Sequence, residues 1–173
     1  GTGKDTTRID GGFGIENLEN ITFKQMTVTN TSEDGTGIRM SNAKVELFDV
    51  ALKECARAAF FIPGSTSETT IVATRCEFAN SRYGALVYGS LTSATFKNCV
   101  FHDNSGHGIF GYDNASIHLH GEATAIHSNK SYGICADNSG KVIIHLPSNH
   151  NTSYNNGTDR DTSRGSTITN VED

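Results

Sequence analysis

Apolar side chains fall on every second position in three short runs between Ser93 and Asn114, a stretch reading SATFKNCVFHDNSGHGIFGYDN. The alternating pairs are Ala94/Phe96, Cys99/Phe101 and Ile109/Gly111, and alternation at period two marks a strand with one buried face. Asp103 to Gly108 separates the second and third runs with residues that tolerate turn geometry. No run is long enough to make a helix. Such a unit cannot bury its apolar face alone, so its stability has to come from repetition.

The unit does repeat. Taking the glycine that opens the third strand as marker, Gly84, Gly108, Gly133 and Gly157 lie 24, 25 and 24 residues apart. Gly14, Gly37 and Ala58 extend the series upstream at intervals of 23 and 21. The first inward pairs run from Ile21/Phe23 to Val142/Ile144, and the second from Met26/Val28 to Thr124/Ile126. The third pairs read Ile38/Met40, Ala59/Phe61, Ala85/Val87, Ile109/Gly111 and Ile134/Ala136. Three strands per turn of about 24 residues, with Gly and Asn at the corners, predict an all-β fold, a single right-handed parallel β-helix with three sheets. Period-two patterning excludes helical repeats, and the consensus of a leucine-rich repeat is absent. About six rungs at the β spacing make a rod only about 30 Å long. Residues 1–157 are expected to form the β-helix domain, and the polar stretch 158–173 a C-terminal tail or partial cap.

On these repeats and corners, from residue 9 to residue 157, the chain resembles the pectin-lyase-like superfamily of pectate lyases, polygalacturonases, alginate epimerases and the β-helix repeats of some F-box proteins. The resemblance is one of architecture. It implies that chemistry, if any, sits on one sheet and its flanking turns. Gly106-His107-Gly108 resembles the Gly-His-Gly segment of polygalacturonases, which implies a place for His107 beside a catalytic acid. The Asn-Thr-Asp and Asp-Asp motifs of those enzymes are missing, and Glu33 and Asp34 are the only acidic residues at the corresponding corners. A lyase needs clustered carboxylates for calcium and an Arg or Lys base, and Arg39 is the only base expected on the third sheet. The epimerase motif is represented only by a weak echo at Tyr112-Asp113-Asn114. The leading expectation is therefore a non-catalytic binding domain. A polysaccharide hydrolase, lyase or epimerase with a divergent site, and a purely structural spacer or fibre module, are the alternatives.

Two surface constellations stand out. Between the inward residues of the third strands lie Phe60, Leu86, Tyr88, Phe110 and Tyr112, with Arg57, Tyr83, His107 and Tyr132 at the preceding corner. A stripe of aromatic and apolar side chains at solvent-facing positions marks an interface or a ligand groove. It fits a covering loop or tail, a protein or self-association surface, or a polysaccharide groove with Tyr platforms. On the first sheet, His118 and His120 point outward, and His145 falls beside His120 one rung on, close enough for a shared divalent ion, while Lys97 on the same row opposes a cation. A solvated polar face is the alternative.

Composition narrows the partners. The chain has 173 residues, 18 Gly, two Pro, no Trp and a formal net charge of −5, without a basic run, which argues against nucleic acid. No apolar stretch approaches 18 residues and no signal peptide stands at Gly1, so no membrane contact is expected. The chain begins inside what reads as a first rung, as an excised domain would, and an extracellular or particle-surface setting is favoured. No cofactor is implied. Cys76 and Cys99 take the same inward position on successive rungs, where stacked free thiols suit the geometry better than a disulfide. Cys135 points outward and Cys55 sits in a turn. Asn20, Asn30, Asn114, Asn129, Asn151 and Asn156 begin glycosylation sequons, but Asn30, Asn80, Asn104 and Asn129 also follow the second strand at one corner, with Glu54 breaking the series. Stacked amides there, as in the asparagine ladders of the family, would satisfy turn backbone groups.

Overall fold

Every period-two run of the sequence becomes a strand in the computed structural model, which describes residues 6–172. β1 (Arg8–Asp10), β2 (Phe13–Glu16) and β3 (Ile21–Asn30) open the chain. β4 (Thr36–Ser41) and β5 (Lys44–Cys55) complete the next coil. β6 (Ala58–Pro63), β7 (Thr69–Thr74) and β8 (Glu77–Ala79) follow, then β9 (Tyr83–Tyr88), β10 (Thr92–Lys97) and β11 (Val100–His102). β12 (Ile109–Tyr112), β13 (Ser116–His120) and β14 (Ala125–His127) precede β15 (Tyr132–Asp137), β16 (Lys141–His145) and β17 (Ser153–Tyr154). β18 (Thr158–Thr162) and β19 (Thr167–Asn170) begin a further coil.

These strands stack, all in parallel, into a right-handed β-helix of about six coils. The first sheet runs from β3 and β5 through β7, β10, β13 and β16 to β19. The second runs from β1 through the later halves of β3 and β5 to β8, β11, β14 and β17. The third is β2-β4-β6-β9-β12-β15-β18. The first two sheets are continuous because β3 and β5 pass through the corner between them without losing strand geometry. A single left-handed residue makes that bend: Gln25 (φ 54), Asp49, Arg75 and Asn98 (each φ 53), then Gly121 (φ 85). Glycine is required at the last position, since a Cβ on Gly121 would lie 2.2 Å from Oδ1 of Asn98.

The core is the interior of the coil. Phe78, Phe96 and Phe101 are fully buried, with Phe78 stacked on Phe101 at 4.6 Å and Phe96 edge-on to both. Cys76 and Cys99 lie there as neighbouring thiols, the Cys76 N–H pointing at Sγ of Cys99 over 3.4 Å, and all four cysteines are free and buried. Cys55 closes β5 with its side chain inside rather than in an open turn.

At the corner after the second sheet, buried side chains join coil to coil. Asn104 Nδ2 donates to the Phe78 carbonyl (3.2 Å) and to Asn129 Oδ1 (2.8 Å), and Asn129 Nδ2 donates to Asn156 Oδ1 (2.8 Å). Upstream the column continues through Ser81, whose N–H donates to Asn104 Oδ1 and whose hydroxyl accepts from the Cys55 N–H. Asn80, which the sequence places in this row, is instead the exposed residue before it, with φ 50. Each interior residue from Cys55 to Asn156 follows such a left-handed residue: Glu54, Asn80, Asp103, Ser128 and Asn155. Asn129, 1 % exposed, is closed to a glycan, whereas Asn20, Asn114 and Asn151 are exposed.

The register of β6 differs from the sequence expectation. Ile38 pairs with Phe60 and Phe60 with Ala85, so Phe60 and Ile62 point inward while Phe61 points outward. Ala58–Ile62 is apolar on both faces, and a continuous apolar run carries no period-two signal. The marker series was displaced with it. The residue matching Gly37 is Ala59, whose carbonyl stands 2.6 Å from a Cβ built on Gly37. Likewise Gly12, not Gly14, faces the next coil, and a Cβ on Gly12 would sit 2.0 Å from the Thr36 carbonyl, while one on Gly14 would meet nothing.

Candidate functional site

The outer face of the third sheet is built from three rows parallel to the rod axis. Parallel in-register pairing puts Tyr83, His107 and Tyr132 in one row, with ring centroids 5.4 and 5.0 Å apart. The second row is Phe61, Leu86, Phe110 and Cys135, and the third Tyr88, Tyr112 and Asp137. Rings from different rows meet edge to face: Tyr88 with Phe61 at 5.4 Å and with Phe110 at 5.8 Å, and His107 with Phe110 at 5.5 Å. Guanidinium groups border the patch, Arg57 4.6 Å from the Phe61 ring, Arg82 5.2 Å from Tyr83 and Arg164 6.0 Å from Tyr112.

Burial sorts the expected residues. Phe60 does not belong to this face; it lies wholly inside the coil, for the register reason given above, and Phe61 takes its place. Leu86 does face outward, but its neighbours cover it to 2 % exposure, and Phe61 to 5 %. Tyr83, Tyr88, His107, Phe110, Tyr112 and Tyr132 are half-buried and form the accessible surface. Burial raises the Tyr88 phenol above its ordinary pKa and lowers the His107 imidazole below its own, against the pull of Asp161. The last coil extends the edge of the sheet, β18 pairing with β15, so this strand lies beside the patch and not across it. Beyond β18, Arg164 and the Ser163 hydroxyl bind the Asp137 carboxylate and hold its pKa far below the usual range. Cys135, outward as expected but nearly covered, has its thiol pushed up to about 12 by burial and by Asp161. Sequence reasoning missed Phe61, Arg82 and Arg164. Arg82 adjoins Tyr83 in the chain and could have been found, whereas Arg164 arrives from the following coil without a periodic signal.

The weak catalytic set is not brought together. His107 is flanked by Tyr83, Phe110 and Tyr132, and its Nδ1 faces the Tyr132 N–H at 3.4 Å. Glu33 and Asp34 stand exposed at the corner before β4, three strand steps away, or about 14 Å at the β spacing. They line an open groove of about 320 Å³ with Asn30, Phe13 and Arg39, and Arg39 is paired with Glu16 at 3.3 Å.

The outer face of the first sheet does assemble its histidines. His118 and His120 alternate with the buried Ile117 and Leu119 along β13, and β16 sets His145 beside His120. His118 Nδ1 is 3.0 Å from His145 Nε2, and the His120 and His145 rings stack at 4.0 Å. One ring nitrogen from each of the three lies within 4.8 Å of the others, and all three side chains are half-buried. A second histidine row, His102 and His127 with Tyr154 on the second sheet, also stacks, but His102 is held by Glu77 (3.2 Å) and Asp103 (2.7 Å).

Among known families, the one described as right handed beta helix region matches residues 5–124. No curated protein and no solved structure matches the chain.

Proposed function

Because the chain belongs to the right-handed β-helix family, whose stacked coils present long flat sheets, we propose that it is a non-catalytic binding module that holds an extended polysaccharide along the outer face of its third sheet. The observation that carries this reading is the contiguous field of half-buried rings from Tyr83 and Tyr88 to Tyr132, two coils further along the axis. Four of these rings are tyrosines, which offer an apolar face and a hydroxyl on the same side chain. That suits a ligand that is itself amphipathic, with CH-rich faces and a rim of hydroxyls, better than a purely apolar partner. The bordering guanidinium groups of Arg57, Arg82 and Arg164 add donors along the same edge. The rows run along the axis, so the ligand lies lengthwise. A polysaccharide-cleaving role finds less support, because His107 is surrounded by rings, Glu33 and Asp34 stand three strands off, and Asp137 on the same face is held by Ser163 and Arg164.

The test is affinity electrophoresis against a panel of neutral and acidic polysaccharides, with the wild type and a Tyr83→Ala/Tyr112→Ala variant. Retardation by at least one polysaccharide, lost in the variant while its melting temperature stays close to wild type, is the expected result. No retardation, together with light scattering that shows a dimer dissolved by the same variant, would replace the polysaccharide with a second copy of the chain.

A further inference from the structure

We propose that His118, His120 and His145 form a three-histidine site on the first sheet for a borderline first-row divalent ion, Zn²⁺ being the reference case, with a fourth position open to solvent. The backbone fixes the frame. His118 and His120 are two residues apart on β13, and His145 is the direct register partner of His120 on β16. Both strands are interior to the sheet, β13 bonded to β10 and β16, and β16 to β13 and β19, so neither can slide. Tetrahedral zinc with Zn–N bonds of 2.0–2.1 Å needs its nitrogens about 3.3 Å apart. His118 Nδ1 and His145 Nε2, at 3.0 Å, already stand near that separation. The third nitrogen comes from His120, whose ring is stacked on His145 with planes 10° apart. A turn of this ring out of the stack brings its lone pair to the same point, and all three nitrogens start within 4.8 Å of one another.

The surroundings favour a metal over a merely polar face. Ser116 Oγ is 3.1 Å from His118 Nε2, so it can accept the Nε2 proton and leave the Nδ1 lone pair facing the ion, as outer partners of metal-bound histidines do. Stacking alone would not argue for a site, since His102 and His127 also stack, but there the nitrogens of His102 turn to Glu77 and Asp103. Among the described residues, the His118 group is the one set of three in which potential ligand atoms converge. All three donors are imidazole nitrogens, which suits zinc, copper, nickel or cobalt and not calcium or magnesium. Three histidines with an open position are also the coordination of a site that exchanges water or ligand, unlike a closed structural site. Lys97, next to His120 on the same row, is exposed and its ammonium opposes the ion, so it sets an upper bound on affinity that its removal should lift.

The experiment titrates metal-stripped protein with Co²⁺ at about pH 7.5, a pH at which unperturbed imidazoles are neutral, reading visible absorption, and repeats the titration with Zn²⁺ as competitor while following the melting temperature. The wild type is expected to bind one Co²⁺, lose the band to one Zn²⁺ and melt at higher temperature with either ion. His120→Ala and His118→Asn should each weaken binding at least about tenfold with metal-free circular dichroism unchanged. His102→Gln/His127→Gln should bind as the wild type does, and Lys97→Ser should bind more tightly. Absence of a cobalt band and of a melting shift in the wild type overturns the site. So does a band that survives both single variants, or one that disappears in the His102/His127 variant.

Discussion

Replacing Asn129 by Ala should cost far more stability than a surface asparagine is worth, because this one amide joins three coils. Asn129 is 1 % exposed, and its Oδ1 accepts from the Asn104 N–H at 3.2 Å and from Asn104 Nδ2 at 2.8 Å. Its Nδ2 donates to the carbonyls of Phe101 and His127 at 3.2 and 3.1 Å and to Asn156 Oδ1 at 2.8 Å. In Asn129→Ala two donors of the buried Asn104 lose that acceptor: its backbone N–H and one of its amide hydrogens. At about 1–3 kcal/mol for each buried donor left unpaired, the loss is about 2–6 kcal/mol. In a solenoid this loss falls on the two interfaces flanking one coil, so the unfolding transition should also broaden. Asn80→Gly is the matched control. Asn80 is exposed with φ 50, a conformation glycine adopts freely, and the change should stay within about 0.5 kcal/mol. Urea unfolding followed by far-ultraviolet circular dichroism measures both. A cost below about 1 kcal/mol for Asn129→Ala, or one equal to that of Asn80→Gly, would mean that water replaces the amide and that the column does not bind the coils together.

Phe60→Ala should destabilise by about 3–5 kcal/mol, transfer plus an enclosed cavity, and Phe61→Ala by about 1.5–3 kcal/mol, transfer alone from a patch that opens to solvent; the reverse order in the same urea assay would return Phe60 to the outer face. For His102, the bond to Glu77 and then that to Asp103 raise the folded-state pKa above the unfolded value of about 6.5. Its stabilisation is complete below the unfolded value and is lost as pH rises through the folded one. The stability difference between wild type and His102→Gln should therefore shrink as pH rises above the unfolded value of about 6.5, and a difference that grows as pH rises from there would reverse the assignment.

How far the sequence carries depends on whether the two faces of a strand differ chemically. In β10 and β13 inward Ala94, Phe96, Ile117 and Leu119 alternate with Ser93, Thr95, His118 and His120, so the fold, the register and the histidine cluster were all legible there. In β6 both faces are apolar, one against the core and one under the aromatic patch, so alternation vanished and Phe60 and Phe61 exchanged places. The asparagine corner failed for a related reason. Two consecutive positions favour Asn for different causes, the left-handed bend at Asn80 and the inward amide at Asn104, and composition alone cannot separate them. Exposure on the third sheet was illegible because lateral contacts decide it: Leu86 faces out, yet Phe61 and Phe110 of the adjacent coils and Tyr83 and Tyr88 of its own strand pack around it and cover it. The same stacking that hides Leu86 brings His118 and His145 to 3.0 Å from 27 residues apart. In a parallel β-helix the outer rows are therefore where separated residues gain joint chemistry. The period of the repeat, more than any local motif, decides which of them meet.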